Sequence, residues 1–242
     1  MTLSYGLVAS GSKGNCFYVG DNEHSFIVDA GVSVSLLRAF MKQLGRKSID
    51  SVLITHDHID HTRGLSAIKK RWLCQELDDD CDCVFGDKKI TKFPIPHDIP
   101  CYGYKIETKS CIITILSDCG YTTKTMFDNC IDSNVLVIES NYCEKLLRSN
   151  SKYPEFVKSR VEGFSGHLSN LQALSFVAEI AKRGTLRHVI LTHLSDENNN
   201  SEIVENLYKK HYAGSLPFAL SVMPIGRIFN YKVAYEECGI RQ

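Results

Sequence analysis

The sequence predicts a protein of the α/β (α+β) class, built as a four-layer αββα sandwich of helices and sheets. Strand and helix patterns alternate along all 242 residues, and the strands fall into two batches, each with helices that must cover an outer face. This pattern favours two packed sheets over one doubly wound sheet. Because no repeat or Pro/Gly-rich linker divides the chain, residues 1–242 are predicted to form a single domain.

The first batch begins with three short apolar strands, and the turn-prone segment GSKGN separates the first two. In chain order these strands are LSYGLVAS, CFYVG and SFIVDAG. Tight turns between them predict an antiparallel start. A helix with apolar residues at helical spacing, SVSLLRAFMKQLG, precedes the buried strand IDSVLIT, and GLSAIKKRW is the next helix.

The second batch continues the same alternation of strands and helices. Its predicted strands are CVF, CYGYKIET, CIITILSD, NVLVIES, HVILTHLS, FALSVM and RIFNYKV. Its predicted helices lie near 123–131, over LQALSFVAEIAKR, and near 201–211. Ser169 or Asn170 is the expected cap of the long middle helix, because short polar side chains bind free amides at a helix start.

Composition limits the possible partners and compartment. With 28 basic and 28 acidic residues, the net charge is zero, which argues against a protein that coats nucleic acid by bulk electrostatics alone. The basic window 144–162 is more simply solvated surface than a binding patch. No apolar run is long enough to span a membrane, and the first residues do not resemble a signal peptide. We therefore expect a cytoplasmic protein with no membrane contact and mostly reduced cysteines.

One segment, LITHDHIDHTRG, concentrates imidazole and carboxylate groups directly after a buried strand. Its polar side chains are His56, His58, Asp60 and His61. One amphipathic period cannot explain their spacing, so a turn must gather them. These groups are the ligands that suit zinc and similar divalent ions. The alternative is a polar loop whose histidines contact solvent or backbone.

Four ligands in one turn exceed what a single tetrahedral catalytic site can use while it keeps a water, so two ions are predicted. The further ligands must come from other segments. Candidates stand at the ends of apolar strands: His97 in FPIPHDIP, Asp118 in CIITILSD and His193 in VILTHLS. Taken singly, each is more simply a hydrogen-bonded structural residue.

The motifs resemble those of metallo-β-lactamase-fold hydrolases. HDHIDH is similar to their HxHxDH signature, and Asp29 in IVDAG is similar to their first motif. A narrower likeness covers nearly the whole chain and points to the YycJ/WalJ branch, cytosolic proteins regarded as DNA exonucleases. It is carried by ASGSKGNCFYV, IVDAG, PIPHD, SDCGY, IESN, SGHLSN and LTHLSDENN. That branch usually has a histidine after the asparagine, where this chain has Tyr142 after Asn141.

The resemblance implies a ligand set for two divalent ions, with zinc or manganese expected and iron also compatible. One ion falls to His56, His58 and His97, and the other to Asp60, His61 and His193. Asp118 bridges the two, and Asp60 and Asp118 are expected to be catalytic. Ions about 3.5 to 4 Å apart can share a hydroxide that acts as the nucleophile. Asp29 would orient a ligand, or else be an ordinary turn aspartate.

Two loops are candidates for binding substrate phosphate. Ser165, Gly166 and His167 precede a long helix and resemble the SGH motif of related nucleases; His167 is also counted as catalytic. Near the start of the chain, Ser12 and Asn15 lie in a loop able to form an anion-binding nest. A capping turn and a plain hairpin turn are the respective alternatives. No P-loop lysine follows, so no nucleotide cofactor is expected.

Together these features predict a dinuclear-metal-dependent phosphodiesterase, a DNA exonuclease working from 5′ to 3′. Two alternatives keep the metals: a hydrolase of a small thioester, lactone or β-lactam, and a non-catalytic metal-binding regulator. No GxSxG elbow or local cysteine signature supports serine or thiol catalysis. Nothing in the sequence indicates an oligomeric state.

Overall fold

The structure is a computed structural model that describes residues 3–77 and 83–223. The described residues form two compact units, one up to Lys89 and the other from Ile90 onward. The single domain stays a prediction. The predicted strand RIFNYKV, residues 227–233, lies outside the described residues.

The first unit contains a five-stranded sheet in sequential order. Its strands are β1 (Ser4–Ala9), β2 (Cys16–Gly20), β3 (Ser25–Val28), β4 (Ser51–Leu53) and β5 (Gln75–Glu76). β1, β2 and β3 pair antiparallel, which confirms the predicted start, whereas β3, β4 and β5 pair parallel. β5 is too short to be predicted from a local sequence pattern.

Three helices belong to this unit: α1 (Val34–Gln43), α2 (Ile59–Thr62) and α3 (Leu65–Trp72). The Ser33 hydroxyl begins α1 by accepting a hydrogen bond from the Leu36 amide at 3.2 Å. The apolar stripe of α1 buries Leu37 and Phe40 in a core that also holds Ile68 of α3. Both helices therefore keep their polar faces on the surface of the unit.

A second sheet has seven strands in the order β12-β11-β10-β9-β8-β7-β6. In chain order they are β6 (Cys83–Phe85), β7 (Lys88–Ile95), β8 (Cys101–Glu107), β9 (Ile112–Ile115), β10 (Val135–Glu139), β11 (His188–Thr192) and β12 (Ala219–Val222). The strands from β9 to β12 run parallel, so their carboxyl ends meet at one edge. That edge carries the second unit's polar site residues.

Five helices lie in the second unit. They are α4 (Lys124–Cys130), α5 (Glu144–Ser149), α6 (Glu155–Glu162), α7 (Asn170–Ala181) and α8 (Ser201–His211). Ser169 caps α7, as predicted, and forms a reciprocal capping box with Gln172. α5 and α6 are not among the predicted helices. In the described parts of the chain no helix combines the length and apolarity that crossing a bilayer requires. The eight described cysteines form no disulfide.

Candidate metal and phosphate sites

Strained backbone marks three of the predicted site residues. Among the described residues, five that are not glycine have positive φ, and three of these are Asp29 at 64°, Asp118 at 40° and His193 at 54°. Each follows the end of a strand. A left-handed conformation costs roughly 1–3 kcal/mol for such residues and persists where the surroundings hold it in place, which occurs mainly at functional sites.

In the first unit, the HDHIDH segment folds into a turn and the single-turn helix α2, with His58 at its N-cap. Backbone hydrogen bonds fix this turn: the Asn15 amide donates to the Asp60 carbonyl at 2.8 Å, and the Ala30 amide donates to the His61 carbonyl at 2.7 Å. Gly31 makes the close approach possible, because a Cβ there would lie 1.6 Å from the Asp60 carbonyl oxygen.

Asp29 organises the histidines of this turn. Its carboxylate accepts from His61 Nδ1 at 2.8 Å and from the amide and hydroxyl of Thr55, each at 2.9 Å. His61 is fully buried. With Nδ1 donating to a carboxylate, the lone pair of His61 lies on Nε2, the form that binds a metal ion. The arrangement favours the predicted orienting role of Asp29 over that of a simple turn residue.

His56 and His58 converge in the same turn. His56 Nδ1 lies 3.0 Å from the Thr55 hydroxyl, and since that hydroxyl donates to Asp29, it accepts from His56. The lone pair of His56 is then on Nε2, which lies 3.0 Å from His58 Nδ1. Two nitrogens on one tetrahedral zinc ion would be roughly 3.3 Å apart. This spacing fits ligands of a common ion.

Asn15, a predicted phosphate ligand in the amino-terminal loop, forms hydrogen bonds within the protein. Asn15 is buried, and its Nδ2 lies 2.9 Å from His61 Nε2 and 3.1 Å from Asp60 Oδ2. Its Oδ1 accepts from the Gly11 amide at 2.9 Å. Ser12 is exposed. The Asn15 side chain therefore holds the loop against the histidine turn, and of the two predicted phosphate ligands only Ser12 faces solvent.

In the second unit, Asp118, Glu139 and His193 meet at the carboxyl edge of the parallel strands. His193 Nδ1 lies 3.0 Å from Asp118 Oδ1 and 3.4 Å from Glu139 Oε2. Burial lowers the pKa of His193, but the Asp118 and Glu139 carboxylates outweigh burial and raise it to about 10. His193 is thus protonated at neutral pH when no cation competes for it.

Glu139 was not among the predicted site residues, although it ends a fully buried strand. Its carboxylate has no exposed surface and binds His167 Nδ1 at 3.0 Å and the Leu168 amide at 3.1 Å; the Cys119 amide donates to it as well. Burial raises the pKa of Glu139, but the two histidines outweigh burial and hold it below its ordinary value. The sequence signal for Glu139 is its place as an acidic residue at the carboxyl end of an apolar strand, where burying a charge requires partners.

His167 is the exposed member of this cluster, with 23% of its side chain accessible. Burial lowers its pKa, but the charge and hydrogen bond of Glu139 raise it overall. The amides of Gly166, His167 and Leu168 each donate to protein acceptors. The predicted phosphate contact of this loop is therefore left to the side chains of His167 and of Ser165, which is exposed. Gly166 allows close packing, because a Cβ would lie 2.2 Å from the Val161 carbonyl oxygen.

His97 lies two residues beyond β7, and 3% of its side chain is exposed. Its Nε2 is 3.2 Å from Asp98 Oδ1 and 3.9 Å from Asp118 Oδ2. Burial lowers the pKa of His97, although both carboxylates oppose the shift. A neutral imidazole beside a carboxylate is suited to bind a cation.

Each unit contains donor groups that fit a divalent ion. In the second unit, Asp118, Glu139, His167 and His193 each offer one ligand atom, and these atoms lie within 4.8 Å of one another. In the first unit, His61 Nε2 lies 3.4 Å from Asp60 Oδ2, beside the paired nitrogens of His56 and His58. Imidazole and carboxylate sets of this kind suit zinc, manganese or iron.

Tyr142, which departs from the branch's usual histidine, is buried with 4% exposure. Its carbonyl accepts from the Asn170 amide at 2.9 Å, and the neighbouring Asn141 side chain donates to the His193 carbonyl at 2.7 Å. The tyrosine thus packs in the interior, and Asn141 supports a predicted ligand.

Sequence comparisons relate the chain to known proteins. Residues 9–76 match the metallo-beta-lactamase superfamily. Exodeoxyribonuclease YycJ of Bacillus anthracis is 30% identical over 231 residues, which cover 84% of this chain and 86% of that protein. Exodeoxyribonuclease WalJ of Streptococcus pneumoniae is 30% identical over 232 residues, covering 83% and 85%.

The fold is similar to that of a solved structure. The metallo-beta-lactamase fold protein YhfI of Bacillus subtilis superposes with a TM-score of 0.69 at 15% identity, covering 93% of this chain and 97% of YhfI. The predicted fold class, mixed α/β with two sheets and of the metallo-β-lactamase type, is thereby confirmed.

Proposed function

Because the chain belongs to the metallo-β-lactamase superfamily, in the branch of the YycJ and WalJ exodeoxyribonucleases, we propose that it is a dinuclear metal-dependent phosphodiesterase that degrades DNA from the 5′ end. The family relationship confirms the prediction of a hydrolytic enzyme. DNA as substrate, the two ions, the 5′ to 3′ direction and a cytoplasmic location belong to the proposal.

The observation that carries this proposal is the Glu139–His167 pair. A partly exposed histidine, held at 3.0 Å by a fully buried carboxylate, is suited to give a proton to a departing group. The same carboxylate lies 3.4 Å from His193, a proposed metal ligand. Cleaving a phosphodiester of DNA releases a sugar alkoxide, which needs such a proton.

The proposal keeps the predicted ligand sets: His56, His58 and His97 would hold one ion, and Asp60, His61 and His193 would hold the other. Asp118 would contribute to both. When bound, such a pair of ions activates water at neutral pH and stabilises the charge that develops on the phosphate oxygens. Asp29 keeps Nε2 of His61 available, and the Thr55 hydroxyl does the same for His56.

The protein's own groups then position the substrate and handle its proton. His167 contacts a phosphate oxygen and, held in orientation by Glu139, protonates the leaving oxygen. Near it, Tyr121 and Phe164 form an edge-to-face aromatic pair with ring centroids 5.6 Å apart, and they are 41% and 81% exposed. Aromatic rings this exposed are suited to stack on nucleobases, which favours nucleic acid over a small acyl substrate.

The experiment that tests the proposal incubates the purified full chain, loaded with zinc or manganese, with single- and double-stranded DNA labelled separately at each end. We expect mononucleotides to be released first from the 5′ end. His58→Ala and Asp118→Ala proteins are expected to lose metal and activity together. Equal activity in those variants would refute the site, whereas turnover of a lactone, thioester or β-lactam without DNA degradation would refute the substrate.

A further inference from the structure

The outer helices of the first unit carry a strongly basic surface. Residues 30–49 and 61–75, which contain α1 and α3, include eight lysines and arginines and no aspartate or glutamate. They are Arg38, Lys42, Arg46, Lys47, Arg63, Lys69, Lys70 and Arg71. In a chain of zero net charge, this concentration gives one face a positive potential that the overall balance conceals.

Two concave surfaces are lined by six of these cations and by Lys13. A cavity of about 800 Å³ is lined by Lys13 and Arg63, and one of about 610 Å³ by five cations and the ring of Trp72. Ser35 lines both cavities. We call the combined surface the α1–α3 groove; its cations are Lys13, Arg38, Lys42, Arg46, Lys47, Arg63 and Arg71.

The groove begins beside the histidine turn of the same unit. Gly31 and Gly64 line the larger cavity, and Gly31 lies against the Asp60 carbonyl. Arg63 Nε donates to the Gly31 carbonyl at 2.7 Å, which fixes the guanidinium at this end. At the other end, Trp72 Nε1 donates to the Lys47 carbonyl at 3.0 Å, and the Arg71 guanidinium lies 5.7 Å from the Trp72 ring.

Three cations of the groove differ from those of the other basic region, because no described carboxylate pairs with them. Within the described ranges, Arg38, Lys42 and Lys47 have no carboxylate at ion-pair distance, and all three are exposed. In the window 144–162, by contrast, most cations are paired: Lys152 with Glu197, Lys158 with Glu155, Arg148 with Glu162 and Arg160 with Asp98. The unpaired cations of the groove can attract an external polyanion, whereas the paired cations of the window 144–162 are largely neutralised.

We propose that the α1–α3 groove binds the sugar–phosphate backbone of DNA beyond the bond that is cut, leading the strand away from the histidine turn. The inference rests on the proposed function, since it assigns the groove to the same substrate. Concavity favours DNA over an anionic membrane, because a DNA strand can follow a curved groove, whereas a bilayer presents a flat surface. Trp72 offers a ring on which a base can stack.

The test measures binding of a fluorescent DNA oligonucleotide to the full chain in EDTA, so that cleavage cannot interfere. The groove variant is Arg38→Gln/Lys42→Gln/Arg71→Gln, and the control is Lys152→Gln/Lys182→Gln/Lys209→Gln, which removes the same charge from exposed, paired lysines. Each phosphate contact contributes about 0.7 to 0.9 to the slope of log K against log salt. We expect the groove variant to lower that slope by about 2 to 3 and the control to leave it unchanged.

Single substitutions Arg38→Gln and Lys42→Gln should each lower the slope by about 1, which guards against misfolding of the triple variant. Equal affinity and salt slope in the groove variant and the control would overturn the proposal that the groove binds DNA. Loss of binding to phosphatidylserine vesicles, with unchanged DNA affinity, would also overturn it and assign the face to a membrane. Reduced DNA binding in the groove variant, together with a wild type that degrades no DNA in metal, would refute the proposed function and leave the groove standing.

Discussion

Glu139 and His167 form a hydrogen-bonded pair: the fully buried carboxylate lies 3.0 Å from Nδ1 of the partly exposed imidazole. The carboxylate fixes the imidazole's orientation and raises its pKa, so that Nε2 can carry a proton toward solvent. Since Glu139 also lies 3.4 Å from His193, one carboxylate ties the proposed proton donor to a proposed metal ligand.

Glu139→Gln is expected to lower kcat/KM for DNA by about 10²- to 10⁴-fold, because His167 loses the charge that keeps it protonated. An aryl phosphodiester, whose leaving group needs no proton, should lose far less. Glu179→Gln, an exposed substitution in the same unit, serves as control. Equal losses on both substrates would show that Glu139 supports the fold or the metal and not the proton transfer.

Asp29→Asn is expected to weaken zinc binding by about 10- to 100-fold, since the amide cannot hold His61 through a charged hydrogen bond. Asparagine tolerates the φ of 64° at this position, so the backbone should survive the change. Metal retained after dialysis against graded chelator measures the effect. Asp50→Asn, which alters a structural carboxylate bonded to the Ser25 amide, should keep its metal.

Much of the fold follows from local sequence patterns. β2 (Cys16–Gly20) and α8 (Ser201–His211) match their predicted bounds, because apolar periodicity and turn residues define both elements. β7 (Lys88–Ile95) escapes prediction, since three lysines interrupt its apolar alternation and Lys88 is nevertheless buried. α6 has no buried residue, so the sequence contains no apolar stripe that would predict it.

In the candidate site, too, local patterns predict some features, and long-range contacts decide the others. Asp118 and His193 are predictable because polar residues directly after apolar strands lie at the sheet's carboxyl edge. Glu139 also ends an apolar strand, but no local pattern reveals its contact with His167, which is 28 residues away in sequence. The internal use of Asn15 likewise depends on a long-range contact with Asp60, which no local pattern reveals.

Phe164→Ala is expected to raise KM for DNA by about 5- to 100-fold, which corresponds to the 1–3 kcal/mol typical of a base stacked on an aromatic ring. Turnover at saturating DNA should change little, because the ring does not contact the reacting groups. Phe156→Ala removes a ring of similar exposure from α6 of the same unit. An equal KM in the two variants would argue against stacking on Phe164.

Lys88→Ala is expected to destabilise the protein by about 3 to 5 kcal/mol, because it leaves the Asp21 carboxylate buried without its cation. Burial raises the pKa of Asp21, but the Lys88 ammonium and the amides of His24 and Glu23 outweigh it and lower that pKa to about 2. The pair therefore stabilises the fold above about pH 4, and this contribution is lost as pH falls through about 2. Denaturant melts at pH 3 and 7 test this, and Asp21→Asn/Lys88→Met should be less harmful than Lys88→Ala.

As a proposed metal ligand, His193 would link metal binding to pH. Its pKa of about 10 in the metal-free protein exceeds the unfolded value of about 6.5, so its ion pairs stabilise the fold fully below pH 6.5 and progressively less as pH rises toward 10. A metal ligand must be neutral, so zinc binding at pH 7.5 should release a proton from this residue. Calorimetry in buffers of different ionisation enthalpy measures that release, and His193→Gln should reduce it by about one proton.

In EDTA, the Tm advantage of wild type over His193→Gln should shrink between pH 6 and 10; a constant difference would contradict the assigned protonation.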